Sequence, residues 1–223
     1  EARVQFFSKG GTFSTDFDPT GSSPDTNETV YYTLNGTIPT NSSTVYTGPI
    51  AITNTVQVRA RAIVPGLMPG ELRSECYLKL AATALPFKSD LPVVVFHTFG
   101  GRTIPADTKQ FAQIFVFEPK NGATTLTNAP DLRTRAGINL RGSSTLGYPK
   151  HSLSVEFWDD YDADKDRPLL GMPADSDWVF YAPNNFEPVL IHNPFMHDPS
   201  RQIGRYSPRA RFVEVYINKN GGP

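Results

Sequence analysis

The sequence predicts a mainly β, α+β chain: a small β-sandwich followed by an antiparallel sheet with one main helix. Three observations predict it. Prolines (20) and glycines (17) are scattered between short apolar runs, which favours many turns and few long helices. Residues 1–80 hold short segments of alternating polarity, the mark of half-buried strands. From Leu91 the apolar runs become continuous, as strands covered on both faces require. The chain of 223 residues has room for one large or two modest domains and ample length to bury a core.

Within the first 80 residues the strands expected are Ala2–Phe7, Thr29–Leu34, Thr55–Ile63 and Arg73–Leu80. Asn35-Gly36 and Pro65-Gly66 separate them. Asn35-Gly36 directly after a β-rich run signals a two-residue hairpin turn, because both central positions need positive φ. In Thr55–Ala62, Val56, Val58, Ala60 and Ala62 share one face, while Gln57, Arg59 and Arg61 share the other and are expected in water. Such a set fits a small Ig-like sandwich. Asn27-Glu28-Thr29, Asn35-Gly36-Thr37 and Asn41-Ser42-Ser43 fit the N-glycosylation pattern, a pattern that a Ser/Thr-rich surface also produces by chance.

Residues 81–90 have no period and carry Pro86, so they read as a linker between domains 1–80 and 91–223. Leu91–Phe96 reads as a central buried strand, Gly100-Gly101 as a turn and Phe111–Glu118 as the next strand, turned by Asn121-Gly122. Arg133–Leu140 leads into Arg141. A strand from Lys150 to Trp158, another entered through Asp175-Ser176-Asp177-Trp178, a helix over 188–203 and a closing strand Arg211–Asn218 complete the second part. Trp158 and Trp178 read as core anchors.

A formal charge of −1 argues against nucleic acid or an anionic membrane as a partner held by bulk electrostatics. Aromatics at 12% and charged residues at 19% fit a globular chain rather than a disordered one. No apolar run approaches a membrane span. The lone cysteine, Cys76, has no intramolecular partner and reads as a small core residue. The chain starts without Met and ends in Gly221-Gly222-Pro223, so both ends read as cut, and a missing signal peptide carries no information.

The most chemical feature is the hairpin from Arg141 to Lys150. Two cations flank Gly142, Ser143, Ser144 and Thr145. An anion such as a phosphate needs that set: close backbone approach, hydroxyl donors and fixed positive charge. An ordinary hairpin with solvated ends satisfies the same residues. The run Asp159-Asp160-Tyr161-Asp162-Ala163-Asp164-Lys165-Asp166 spaces Asp160, Asp162 and Asp164 like the first three ligands of a calcium loop. Lys165 and Gly171 stand where that loop needs Gly and a bidentate Glu. What remains is an irregular Ca²⁺ candidate or a solvated charge run. His97, His151, His192 and His197 lack zinc-ligand spacing. There is no nucleophile elbow, and the Gly-Ser-Ser-Thr turn lacks the Gly-Lys-Ser/Thr ending of a P-loop.

Three separated motifs carry a family resemblance: RGSSTLGYPKHSLSVEF, LLGMPADSDWVFYAP and SRQIGRYSPRARFVEVYIN. In this order they resemble the N-terminal part of the CotH kinase-like family, over about residues 91–223. The resemblance implies a secreted or cell-surface protein, a kinase-like small lobe, Mg²⁺-ATP as cofactor and a protein as phosphoacceptor. It matches Lys150 to the lysine over the nucleotide phosphates, supported by Arg141, Ser143 and Ser144. It matches Asp198 to the helical acid that pairs with this lysine. His151, Asp198 and Pro199 depart from the family's pattern, and a proline inside a helix removes a hydrogen bond. Arg209 and Arg211 match the family's two arginines before the last strand. The catalytic and metal-holding acids belong to a second lobe expected beyond Pro223, so this fragment holds none and is expected to be inactive.

The first part has its own resemblance. Residues 31–71, YYTLNGTIPT to LMPGE, are similar to the chitobiase/hexosaminidase C-terminal-type β-sandwich module, with Asn35 in place of its usual Asp. That module implies an extracellular accessory role, and Tyr31, Tyr32 and Tyr46 offer either a glycan platform or core edges. Two readings of the whole follow. One is a CotH-type atypical protein kinase. The other is a non-catalytic surface protein in which the kinase-like fold serves adhesion or assembly and the sandwich acts as a spacer, because fold alone does not carry chemistry.

Overall fold

The structure, a computed structural model, describes residues 4–6, 8–18, 21–22, 28–101, 103–183 and 189–220. It is mainly β with one α-helix, a β-sandwich-type module followed by a sheet-rich part. The first part holds β1 (Gln5–Phe6), β2 (Gly11–Phe13), β3 (Gly21–Ser22), β4 (Thr29–Thr33), β5 (Thr44–Val45), β6 (Val56–Ile63) and β7 (Arg73–Lys79). Five of these form a sheet in the order β2-β7-β6-β4-β5, and β1 pairs with β3. Only Gln5–Phe6 of the strand expected at Ala2–Phe7 is seen as strand, and Ala2, Arg3 and Phe7 lie outside the described residues. Asn27 of the first glycosylation pattern also lies outside them.

The second part holds β8 (Val93–His97), β9 (Gln110–Phe117), β10 (Leu132–Arg141), β11 (Ser152–Trp158), β12 (Arg167–Leu169), β13 (Met172–Asp175), β14 (Asp177–Phe180), α1 (His192–Gln202) and β15 (Glu214–Asn218). Its six-stranded sheet runs β14-β11-β10-β9-β8-β15. The four junctions from β8 to β14 are antiparallel, as expected. The last is not: β15 pairs with β8 in parallel, Tyr216 opposite Val95. The chain leaves one edge of the sheet at Phe180 and returns on the opposite edge at Glu214. A parallel partner needs such a long crossover, and α1 lies within it.

The continuous apolar runs are buried for the reason expected. All five residues of β8 are buried, and so are Ala112–Phe117 of β9. Side chains alternate across a sheet. Val94, Phe96, Ile114, Val116, Ile138, Val155 and Phe157 therefore build a core on one face. Val93, Val95, Phe115 and Phe117 point to the other, where Cys76 and Leu78 of β7 cover them. Between those two residues Tyr77 faces back into the first module, against Ile52 and Val58. One strand thus supplies alternate side chains to two cores. Residues 81–90, expected as a linker, contain a 3-10 turn at Ala82–Ala84, pack Phe87 onto the shared core and pair Ser89 with Thr124.

Two local expectations are corrected. Asn35-Gly36 makes no two-residue hairpin: Gly36 has φ +79°, but Asn35 is not in the left-handed region. Asn35 Oδ1 instead accepts from Thr37 N at 3.2 Å and Thr37 Oγ1 at 2.7 Å, and β4 finds its next partner only at Thr44. A side-chain bond to a nearby backbone N–H competes with the hairpin turn. Asn121-Gly122 does take the two positive φ values, 54° and 86°, with Lys120 and Ala123 exchanging backbone bonds at 2.9 and 3.3 Å. The polar face of β6 is the second correction. Gln57 and Arg59 are 3% and 2% exposed, not solvated. Gln57 lies against Gly36, and Arg59 is covered in part from the second part of the chain, through the Asp160 carbonyl.

Candidate functional site

The hairpin that carries Arg141, Ser143, Ser144 and Lys150 joins β10 to β11, with Arg141 opposite Ser152 in the ladder. A short 3-10 turn, Ser144–Gly147, closes it through Leu146 N to Ser143 O at 3.3 Å and Tyr148 N to Thr145 O at 3.2 Å. Gly142 has φ +128°, and a Cβ there would stand 2.0 Å from Thr145 Oγ1, so the turn admits only glycine without rearrangement. Arg141, Ser143, Ser144 and Lys150 are all exposed. Among the described residues no partner engages Arg141 or the hydroxyls of Ser143 and Ser144. The hairpin therefore presents two cations and two hydroxyls to the surface together.

Asp198 lies on α1, where the expected 188–203 helix forms as His192–Gln202 (Pro188 lies outside the described residues). Pro199 sits inside the helix. The Asp198 carboxylate is bound to the guanidinium of Arg201, three residues on, and among the described residues no ion pair joins it to Lys150. The helix has no buried residue: Phe195 and Met196 are 66% and 62% exposed, and Ile203, just after it, is 76% exposed. Arg209 and Arg211 are exposed in an irregular segment before β15.

The acidic run is built differently from a calcium loop. Asp159 Oδ1 accepts from Tyr161 N at 2.7 Å and Ala163 N at 3.1 Å, which folds the loop on itself, with Asp162 at φ +63°. Its tip then enters the first module. The Asp160 carbonyl accepts from Arg59 Nη2, and Tyr161 Oη accepts from Leu72 N at 3.0 Å. Asp162 Oδ1 accepts from Arg135 Nε at 3.1 Å and also from Arg135 Nη2. Asp164 pairs through its backbone with Trp158. Asp160, Asp162 and Asp164 do not converge, and among the described residues no three His, Cys, Asp or Glu groups are placed to hold a metal. The physical reason is local: the loop's own N–H groups take the Asp159 carboxylate, Arg135 of β10 takes that of Asp162, and Arg59 of β6 takes the backbone carbonyl of Asp160.

These contacts line a cavity of about 430 Å³ between β7, β10 and the acidic loop. Arg133 Nη1 binds Glu75 Oε2 at 2.7 Å and the Gly10 carbonyl at 2.6 Å. Arg135 is 7% exposed and lies 4.2 Å above the Phe111 ring. Burial pushes the Asp160 carboxyl up, opposed by Ser74, Arg135, Arg59 and Arg73. Ser74 Oγ sits beside that carboxylate but outside hydrogen-bonding geometry. Burial, with Arg135 adding to it, lowers Arg59 from its ordinary value. The buried Cys76 thiol is pushed up to about 12 by desolvation and donates to Gln113 Oε1 at 3.1 Å.

Sequence reasoning named the acids of the loop, but neither Glu75 nor any of the arginines as partners. The available signal was complementarity: two Arg-bearing strands, Arg59-Ala60-Arg61 and Arg133-Thr134-Arg135, beside one acidic run. Tyr32 and Tyr46, weighed as a glycan platform, pack on Val30, Ala60 and Ala62 with ring centroids 6.4 Å apart. Among the described residues no helix is long and apolar enough to cross a membrane.

No curated protein and no solved structure matches the chain. Two family models do. Residues 8–74 match the chitobiase/beta-hexosaminidase C-terminal domain, and residues 138–221 match the CotH kinase protein. The second match holds the whole Arg141–Lys150 hairpin, the acidic loop and α1. The chain carries, in order, a module similar to the chitobiase/beta-hexosaminidase C-terminal domain and a region similar to CotH kinase proteins.

Proposed function

We propose that this chain is part of a secreted or cell-surface CotH-type atypical protein kinase, with the first module as an accessory domain and a protein as phosphoacceptor. The observation that carries this reading is the hairpin: Arg141, Ser143, Ser144 and Lys150 exposed together on a turn that lies within the CotH match. Charged and hydroxyl donors at a glycine turn fit the oxygens of a nucleotide's phosphates. Lys150 and Arg141 would hold ATP there, and Mg²⁺ would neutralise charge on the phosphates during transfer. In this reading the acids that would hold the metal belong to a second lobe, as the resemblance to CotH kinase proteins implies. The uncovered Phe195 and Met196 on α1, with Ile203 just after it, support such a lobe, because a helix with no buried residue is an unfinished interface.

The test is ATP binding by the full-length protein carrying Lys150→Ala. Nucleotide affinity should fall at least tenfold, since the contact is charge-assisted. Unchanged binding and hydrolysis would remove the hairpin from the site. One observation favours the rival reading, a non-catalytic adhesion or assembly scaffold. Asp198 is paired with Arg201 in its own helix, whereas kinase chemistry requires a helical acid on the lysine. Phosphorylation assays on the full-length protein with radiolabelled ATP separate the two.

A further inference from the structure

The cavity between β7, β10 and the acidic loop is a second polar site, distinct from the hairpin and drawing on both parts of the chain. Several of its acids are already engaged: Glu75 by Arg133, Glu71 by Arg73, and Asp159 by the N–H groups of its own loop. Two lining cations, Lys165 and Arg167, have no ion pair among the described residues. Three lining residues also keep a buried polar atom with no hydrogen-bond partner there: Arg135 Nη1, Arg167 Nε and Ser74 Oγ. Arg135 is itself more than nine-tenths buried.

The orphan atoms share one character. Two are guanidinium N–H donors, the third is a hydroxyl, and no carboxylate oxygen is orphaned among the described residues. A buried donor left unmade is costly, more so on a charged group, and native folds supply it with an acceptor. A water offers two acceptor sites and no charge. A carboxylate, sulfate or phosphate offers more acceptors together with the negative charge that arginine selects for. The Asp160 carboxyl also lines the cavity, and Ser74, Arg135, Arg59 and Arg73 face it.

We propose that this cavity binds a small oxyanion through Arg135, Arg167, Lys165 and Ser74, and that the bound anion fastens the first module to the second sheet. Ser74 belongs to β7, Arg135 to β10, and Lys165 and Arg167 to the exit of the acidic loop. One ion at their meeting point therefore ties three separate pieces of chain. The proposal does not rest on the nucleotide reading, since none of these residues belongs to the hairpin.

The experiment is titration of the isotopically labelled chain with inorganic phosphate, sulfate and acetate, each at ionic strength held constant with sodium chloride. The readouts are the Arg167 Nε–H resonance and the thermal midpoint. A saturable shift with phosphate and sulfate alone identifies a tetrahedral oxyanion, and one with acetate as well identifies a carboxylate-type ligand. Arg167→Gln should weaken binding about tenfold, as loss of a bond between charged partners does. Lys165→Gln, an exposed change that leaves the fold alone, should weaken it several-fold, and Lys150→Ala should leave it unchanged. Shifts that follow sodium chloride equally, or binding lost in Lys150→Ala and kept in Arg167→Gln and Lys165→Gln, overturn the proposal.

Discussion

Arg59 of the first module donates through Nη1 to the Gly36 carbonyl at 2.9 Å and through Nη2 to the carbonyl of Asp160, 101 residues further along the chain. With Arg133, which donates to the Gly10 carbonyl, it crosses the seam between the two sheets, and Arg135 lines the same seam while holding Asp162 of the acidic loop. Such a seam behaves as buried polar networks do: satisfied, it fixes one arrangement, and broken, it strands a charge.

Asp162→Ala tests that. It leaves Arg135 Nε and Nη2 without their acceptor. The Asp162 side chain is 43% exposed, so water screens part of the loss. A destabilisation of about 1–3 kcal/mol is expected, measured by urea denaturation. Arg135→Met combined with Asp162→Ala should recover part of it, because the stranded cation is then gone.

Leu78→Ala addresses the shared core. Leu78 is 6% exposed and packs on Val93, Val95, Phe115 and Phe117 from a strand of the other module. Its truncation should cost about 2–5 kcal/mol. Because β7 feeds both cores, wild type and variant should each unfold in one transition, with tryptophan fluorescence of the second part and far-UV circular dichroism coinciding. Two separated transitions would mean that the modules fold independently.

Much of this was legible from local pattern. Leu91–Phe96 announced a buried central strand because nothing polar interrupts it, Phe111–Glu118 read as the next strand, and Cys76 was placed in a core by its alternating run. The turn at Asn121-Gly122 followed from its dipeptide. What failed to show was whatever distant chain decides. Arg59 looked solvated because its cover lies a hundred residues away. Asp162 looked like an ion ligand because the arginine that holds it belongs to another strand. The parallel pairing of β15 depends on a crossover that no local period encodes. The hairpin residues were gathered on one exposed turn because they are close in sequence, whereas Asp198 depended on a helix docking that sequence cannot place.

Alkaline pH should weaken the fold through Cys76 and Tyr77. Burial raises both, Cys76 from 9.0 to about 12, and for Tyr77 Glu75 adds to the effect. Each is an acid whose folded value exceeds its unfolded one. Below the unfolded value both states keep the proton and stability does not change. Above it the unfolded state releases the proton first, so Cys76 removes stability between about 9 and about 12, at up to about 1.4 kcal/mol per pH unit. The stability difference between wild type and Cys76→Ala, followed by denaturation from pH 7 to 10.5, should be flat below 9 and move in favour of the variant above it. The same burial predicts no reaction of the native thiol with a disulfide reagent at pH 8.

Gly137 supplies the most local prediction. It lies in β10 opposite Glu156, and a Cβ built on it would stand 2.1 Å from Trp158 Cζ2 and 2.7 Å from Cη2. Those are ring atoms of a side chain anchored by its Nε1–H bond to Glu156 Oε2 at 2.7 Å, an acid that Lys109 also holds. The ring cannot swing aside without breaking that bond. Gly137→Ala should therefore destabilise by about 1–3 kcal/mol, the usual cost of overpacking, and should shift the Trp158 emission as the indole is displaced. Gly48→Ala is the control: nothing lies within 4 Å of its added Cβ, so its stability should match wild type. If Gly137→Ala also matched wild type, the indole would not be held over the glycine as its hydrogen bond requires.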